Sequence, residues 1–185
     1  MKRLIQILVF SLLSIYLPAQ AEHLKFMGIP LTGTITQFQQ KLASKGVTYN
    51  KSESERAAVG TRVFKGTFAG SKAKIVVWYN PKTKIVFGAK ALYEYYTTSS
   101  RDNKYDEIKT MLSQKYYEES DETEIKDGLE QYLVRVTDDY GYSTIGYINL
   151  YRTKDDFTYS TYYVHVEYID SENYRSDQNS KMNDL

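Results

Sequence analysis

The chain has 185 residues, no cysteine, and 24 basic against 23 acidic side chains. Without cysteine it has no disulfide, no Cys-type zinc or iron–sulfur site and no thiol nucleophile. Its near-neutral, well-mixed charge gives no electrostatic footprint for nucleic acid or for an anionic membrane surface.

The N-terminus reads as a leader. Lys2 and Arg3 precede an apolar stretch from Leu4 to Leu17, and Pro18-Ala19-Gln20-Ala21 follows with small residues where an A-x-A cleavage site belongs. The apolar run is shorter than the roughly 20 residues that a spanning helix needs. The sequence therefore predicts a signal peptide over 1–21, removed on export. No cysteine follows it to carry a lipid anchor, so the expected location is the periplasm or the medium. Removing 21 residues leaves 164, and the loss of Lys2 and Arg3 takes the formal charge from +1 to −1. A chain of that length buries roughly 70% of its unfolded surface, enough for a core without staples. No later segment is apolar enough to cross a bilayer, so the mature protein is expected not to be membrane-embedded.

Glu22 to Pro30 carries Leu24, Phe26, Met27 and Ile29, and reads as a short strand or an arm tucked into the core. Leu31-Thr32-Gly33-Thr34 is a turn, with Thr34 (or Thr36) as N-cap of a helix over 35–45. Ile35, Phe38 and Leu42 share one face of that helix, and Gly46 is placed to end it. Residues 50–61 are polar, a loop or a weak second helix. Strands are predicted over 62–68, 72–79 and 84–96, joined by turns at Ala69-Gly70-Ser71 and Asn80-Pro81-Lys82, which makes an antiparallel meander.

The plan then repeats. A helix is predicted over 103–117, with Tyr105, Ile108, Met111 and Leu112 as its stripe. The acidic stretch 118–128 reads as a solvated loop. It lacks the spacing of a calcium loop. Strands follow over 130–137, 142–152 and 157–169, with Asp138-Asp139 and Asp155-Asp156 in the turns between them. Residues 171–185 are polar and read as a tail or loose surface arm. Phe38 and Leu42 fall on Ile108 and Leu112 at an offset of 70. Ala89, Ala91, Tyr93 and Tyr95 fall on Tyr162, Val164, Val166 and Tyr168 at an offset of 73. The expected fold class is therefore α+β. It has two tandem similar halves (22–98 and 99–170), each a helix packed on a three- or four-stranded antiparallel meander sheet, with a polar tail over 171–185.

Tyrosine occurs 19 times, against seven phenylalanines and one tryptophan. Tyrosine has an apolar body and a polar tip, and it favours strands. Two readings stand: a sheet with tyrosine on both faces, one packed and one wet, or an aromatic surface that stacks on sugar or grips a partner. Chemistry is sparse. His23 lies just past the cleavage site, and His165 shares one strand face with Tyr163 and Glu167. This row is the candidate binding surface. No catalytic, cofactor-binding or metal residue is assigned. No G-x-S-x-G elbow, phosphate loop or H-E-x-x-H is present, and an enzyme is not expected.

The stretch Leu24-Lys25-Phe26-Met27-Gly28-Ile29-Pro30-Leu31-Thr32-Gly33, with Phe38, Leu42 and Gly46, resembles the opening of small exported proteins from Bacteroides-type gut bacteria. The tandem layout resembles that of beta-lactamase inhibitor protein (BLIP-like), whose two similar halves form a saddle that grips a partner through its concave sheet. This chain lacks the inhibitor's disulfides and matches no inhibitory loop, so no binding residue carries over. The expected function is non-enzymatic binding of an envelope or extracellular protein through a tyrosine-rich sheet surface. The alternative is a glycan or small ligand. A hydrolase using His165 and Glu167 ranks last. A glycan site usually prefers tryptophan for stacking, and the only one, Trp78, falls inside an expected core strand.

Overall fold

The computed structural model describes residues 22–116, 121–126, 129–155 and 160–183. The expected leader, residues 117–120 and 127–128 of the expected helix end and acidic stretch, residues 156–159 (Asp156 and the expected start of the last strand) and residues 184–185 of the expected tail lie outside the described residues.

Met27 and Gly28 both adopt left-handed backbone, at φ 53° and 73°. A two-residue loop of that kind matches the twist of a tight hairpin. It joins β1 (Lys25–Phe26) to β2 (Ile29–Pro30). Leu24, Phe26, Ile29 and Leu31 of this arm are buried in the main core. The arm is thus a small hairpin that turns these four side chains inward, with Met27 of its turn only partly buried.

Helix α1 (Ile35–Ala43) starts at Thr34 through a capping box with Gln37, and it buries Ile35, Phe38 and Leu42 as its spacing predicts. Gly46, at φ 78°, ends the turn, and Val47 N–H donates to the Leu42 carbonyl. A two-residue strand, β3 (Thr48–Tyr49), and a six-residue helix, α2 (Lys51–Arg56), follow. The polar stretch after residue 50 is therefore the weak helix, and it buries none of its residues.

Three long strands form the first meander: β4 (Thr61–Phe68), β5 (Ser71–Tyr79) and β6 (Val86–Tyr95). The Asn80 side chain shapes the second turn by accepting from the backbone N–H groups of Lys82 and Thr83, each at 2.9 Å. Helix α3 (Thr98–Lys115) then returns across the sheet from its N-cap Thr97. It starts earlier than its apolar stripe predicts. Tyr105, Ile108 and Leu112 are buried as expected, but Met111 is 46% exposed. Its place is taken by Lys104, only 4% exposed, whose ammonium donates to Glu107 (2.9 Å) and Ser71 (2.9 Å). A buried lysine is tolerated when paired in this way.

Next come β7 (Asp121–Lys126), β8 (Leu129–Thr137), β9 (Thr144–Lys154) and β10 (Tyr162–Asp170). The expectation of a solvated acidic loop is corrected here, because residues 121–126 pair with β8 as an edge strand. The polar tail is corrected as well. Residues Ser171–Met182 form helix α4, among four helices in the described residues.

One antiparallel sheet runs in the order β3-β4-β5-β6-β10-β9-β8-β7, so β6 and β10 lie side by side at its centre. The protein is α+β, as expected. Strand alternation sends Ile75, Val77, Ala89, Ala91, Val164 and Val166 to one face, where they join the buried stripes of α1 and α3 and the N-terminal arm in a single core. No helix packs over the middle of the opposite face among the described residues.

Helix α4 crosses the end of the sheet formed by β6, β9 and β10. It is polar apart from Tyr174 and Met182, and its buried contacts are polar anchors. Asp170, fully buried, is its N-cap and accepts from Asn173 N–H (3.0 Å), Leu24 N–H (3.0 Å) and His23 Nδ1 (3.0 Å). His23, just past the expected cleavage site, is thus held by a defined contact. Asp177, 1% exposed, accepts from Asn80 Nδ2 (3.0 Å) and pairs with Lys181 (2.7 Å). Asp177→Ala would leave the buried Asn80 amide short of an acceptor, at a cost of about 1–3 kcal/mol. Urea denaturation should show that loss, and protease digestion should cut first after Arg175 or Lys181.

Candidate functional site

Tyr163, His165 and Glu167 alternate with Val164, Val166 and Tyr168 along β10. The second set is buried in the core, so the first set lies on the open face. Register places Glu94, Leu92 and Lys90 of β6 opposite these three on one side. Thr153, Tyr151 and Asn149 of β9 lie opposite them on the other. The row expected from sequence is therefore real as a set of neighbours, and it sits at the middle of the sheet.

Its contacts are specific. His165 Nε2 lies 2.8 Å from the Thr153 hydroxyl. The Tyr151 ring stacks on the imidazole at 4.3 Å and 9°, and the Tyr163 ring leans against it at 6.1 Å. The Tyr151 hydroxyl donates to Glu167 at 3.2 Å. The Lys90 ammonium, on the next strand, lies 5.3 Å from the centre of the Trp78 ring. Trp78 is not in the core as expected: it alternates with the fully buried Val77 and lies on the open face.

Burial sets the charge states. It pulls His165 down to about 3, with the nearby Lys90 ammonium adding to the effect, so the imidazole is neutral at ordinary pH. Burial also lowers the Lys90 ammonium, with Glu167 opposing, and raises the Tyr151 phenol, with Glu167 reinforcing. A histidine whose Nε2 is engaged and whose Nδ1 is buried without a partner is poorly set to shuttle protons. The arrangement orders a neutral aromatic–polar surface. Among the described residues no three His, Asp or Glu side chains group as metal ligands, and no described helix is long and apolar enough to cross a membrane.

Two hollows flank this row. One, at the β4–β5 end, is lined by Lys65, Lys72, Lys74, Leu92 and Glu94. Glu53 pairs there with Lys74 (2.8 Å) and Lys65 (3.6 Å), and the hydrogen bond to Lys74 holds its carboxyl below the usual range. The other is an open groove of about 650 Å³ between α4 and β8–β10. The residues that sequence reasoning missed are Thr153, Tyr151, Asn149 and Tyr147 of β9. Their two-residue spacing was the available signal.

No family model, no curated protein and no solved structure matches this chain.

The neutral His165 makes stability pH-dependent. Its folded pKa lies below the unfolded value, so the unfolded chain gains a proton on acidification that the folded chain resists. Stability should fall as pH drops from 6.5 toward 3, by at most about 1.4 kcal/mol per unit from this group. Urea midpoints at pH 7 and pH 5 should differ less in His165→Gln than in the unsubstituted protein.

Proposed function

We propose that this protein is exported, carries no enzymatic activity, and docks an envelope or extracellular protein on the open face of its sheet. The observation that carries the reading is the central row itself. Trp78, Tyr151 and Tyr163 present aromatic surface beside Leu92 and Lys90, and helix α4 borders only the Glu167 end of the row. Aromatic residues with polar tips are the side chains enriched at protein interfaces. The leader-like residues 1–21, with their A-x-A ending, support export and removal of the leader.

We also propose that the two halves are a structural duplication with the layout of beta-lactamase inhibitor protein. Each half would contribute one helix-plus-meander unit, with β6 and β10 as equivalent strands. The offset of 73 that aligns these strands also relates Leu92 to His165, and these two residues are register partners. A local two-fold axis between them would exchange the halves, and the symmetric strand order supports the same view. The resemblance concerns layout and names no target.

Crosslinking of intact cells that express the tagged full chain, followed by mass spectrometry, should enrich one envelope protein. With that protein purified, Tyr163→Ala and Leu92→Glu should each weaken binding by at least about 30-fold, the loss expected at an interface hot spot. Unchanged affinity in both variants would remove the open face as the docking surface.

A further inference from the structure

We propose that the groove between α4 and the β8–β10 end of the sheet is a binding site for a neutral glycan. It adjoins the central row that the docking reading uses and shares Glu167 with it, while Tyr147, Tyr174, Ser171 and Arg175 belong to the groove and not to the row. Its walls are two tyrosines, Tyr147 from β9 and Tyr174 from α4, 37% and 43% exposed. Partly exposed aromatic faces of this kind stack on the C–H faces of pyranose rings. The Tyr174 ring is braced from behind by Phe87 at 5.8 Å, so its orientation is set before any ligand arrives.

Between the walls the lining is amide and hydroxyl. Asn149 donates through Nδ2 to Gln131 Oε1 at 2.5 Å, which leaves its Oδ1 buried and without a hydrogen-bond partner. Ser171, at the start of α4, buries its Oγ in the same unpartnered state. Both residues line the groove. Both atoms lie just beneath the groove surface, so the polar lining there is held in place by the fold and not by solvent. The amides of Gln131 and Gln178 and the Asn149 side chain make the lining rich in hydrogen-bonding groups.

Charge selects the ligand class. The charged side chains of the lining are Glu167 and Arg175, one of each sign. The groove therefore offers no net attraction to an anion such as a phosphate or to a cationic peptide. A carboxylate, a guanidinium and several amides together still give many directional contacts to hydroxyl groups, which both donate and accept. A neutral oligosaccharide satisfies the stacking walls, the amide lining and the balanced charge at once.

The test is calorimetric titration of the full chain with linear neutral hexasaccharides of glucose, mannose, xylose and N-acetylglucosamine. An oligogalacturonate serves as an anionic comparator. At least one neutral sugar should bind with a Kd of about 1 mM or tighter. Tyr174→Ala should weaken it about tenfold or more, as loss of an aromatic contact requires. Asn149→Ala, which gives up one strand-side hydrogen bond, is read only after circular dichroism shows an unchanged fold, and it should weaken binding likewise. Tyr140→Ala removes a tyrosine that is 81% exposed in the β8–β9 turn and should leave affinity unchanged. The proposal is overturned if no neutral sugar binds, if the anionic sugar is preferred, or if Tyr140→Ala matters and Tyr174→Ala does not. Partner capture that fails while sugar binding survives would remove the docking reading and leave this site standing.

Discussion

The pairing of β6 with β10 is the contact on which the rest of this structure depends. The two strands are distant in sequence, yet they share eight register partners, from Tyr162↔Tyr95 to Ile169↔Gly88. Without that pairing the chain would hold two small meanders, each with an exposed central edge. With it, seven long strands and the short β3 become one surface. Loop closure across so long a separation is entropically costly, and the side chains on both faces of the pair offset it. Val164, Val166 and Tyr168 meet Tyr93, Ala91 and Ala89 on the core side, and the small alanines leave room for the helix stripes above. Gly88 and Gly146 belong to the same solution. A Cβ on Gly146 would sit 2.5 Å from the Ile169 carbonyl oxygen, and one on Gly88 would sit 2.9 Å from the Ile169 side chain. The strands approach closely because those positions carry no side chain.

The abundance of tyrosine follows from having two faces with different needs. Tyr93 and Tyr168 are buried on the core side, and the Tyr93 hydroxyl reaches out to the Phe68 carbonyl at 2.7 Å. Tyr147, Tyr151 and Tyr163 serve the open side. The residue type suits both because its ring packs and its hydroxyl finds a partner at the rim. Cations complete the packing on the helix side: Lys104 lies 5.1 Å from the Tyr93 ring, Lys109 4.9 Å from Tyr132, and Arg152 4.7 Å from Tyr105. Helix α3 is thus seated by three apolar side chains and by ammonium groups from its own surface. This explains why its stripe is narrower than its sequence suggests.

What was legible in the sequence was what local periodicity determines. Helix α1, its Thr34 cap, the first meander and the face shared by Tyr163, His165 and Glu167 all follow from spacings of three, four and two. The features that were not legible depend on long-range polar contacts. Nothing in Ser171–Met182 shows an apolar stripe, because its buried contacts are Asp177 to Asn80 and its cap Asp170 to the N-terminal arm, more than 90 residues away in each case. Residues 121–126 read as a loop because acidic composition argues against a strand, and pairing to β8 overrides that propensity. The partners of His165 were missed for a related reason. The imidazole's surroundings come from β9 and β6, and no pattern within β10 specifies them.

A polar helix normally has little reason to dock on a sheet, since it buries almost no apolar surface. Helix α4 docks nonetheless, at the cost of sequestering two carboxylates. Burial raises the Asp170 carboxyl, while Asn173, His23 and Leu24 pull it back by contact with its charged form. An apolar helix would have covered the sheet end more firmly, and it would also have filled it. A helix fixed at its start and at Asp177, and polar in between, stands against the sheet and leaves a space lined by Tyr174, Ser171 and Arg175. The anchors, the groove and the open central row are then consequences of one allocation: apolar residues toward α1 and α3, and hydrogen-bonding and aromatic residues toward everything else.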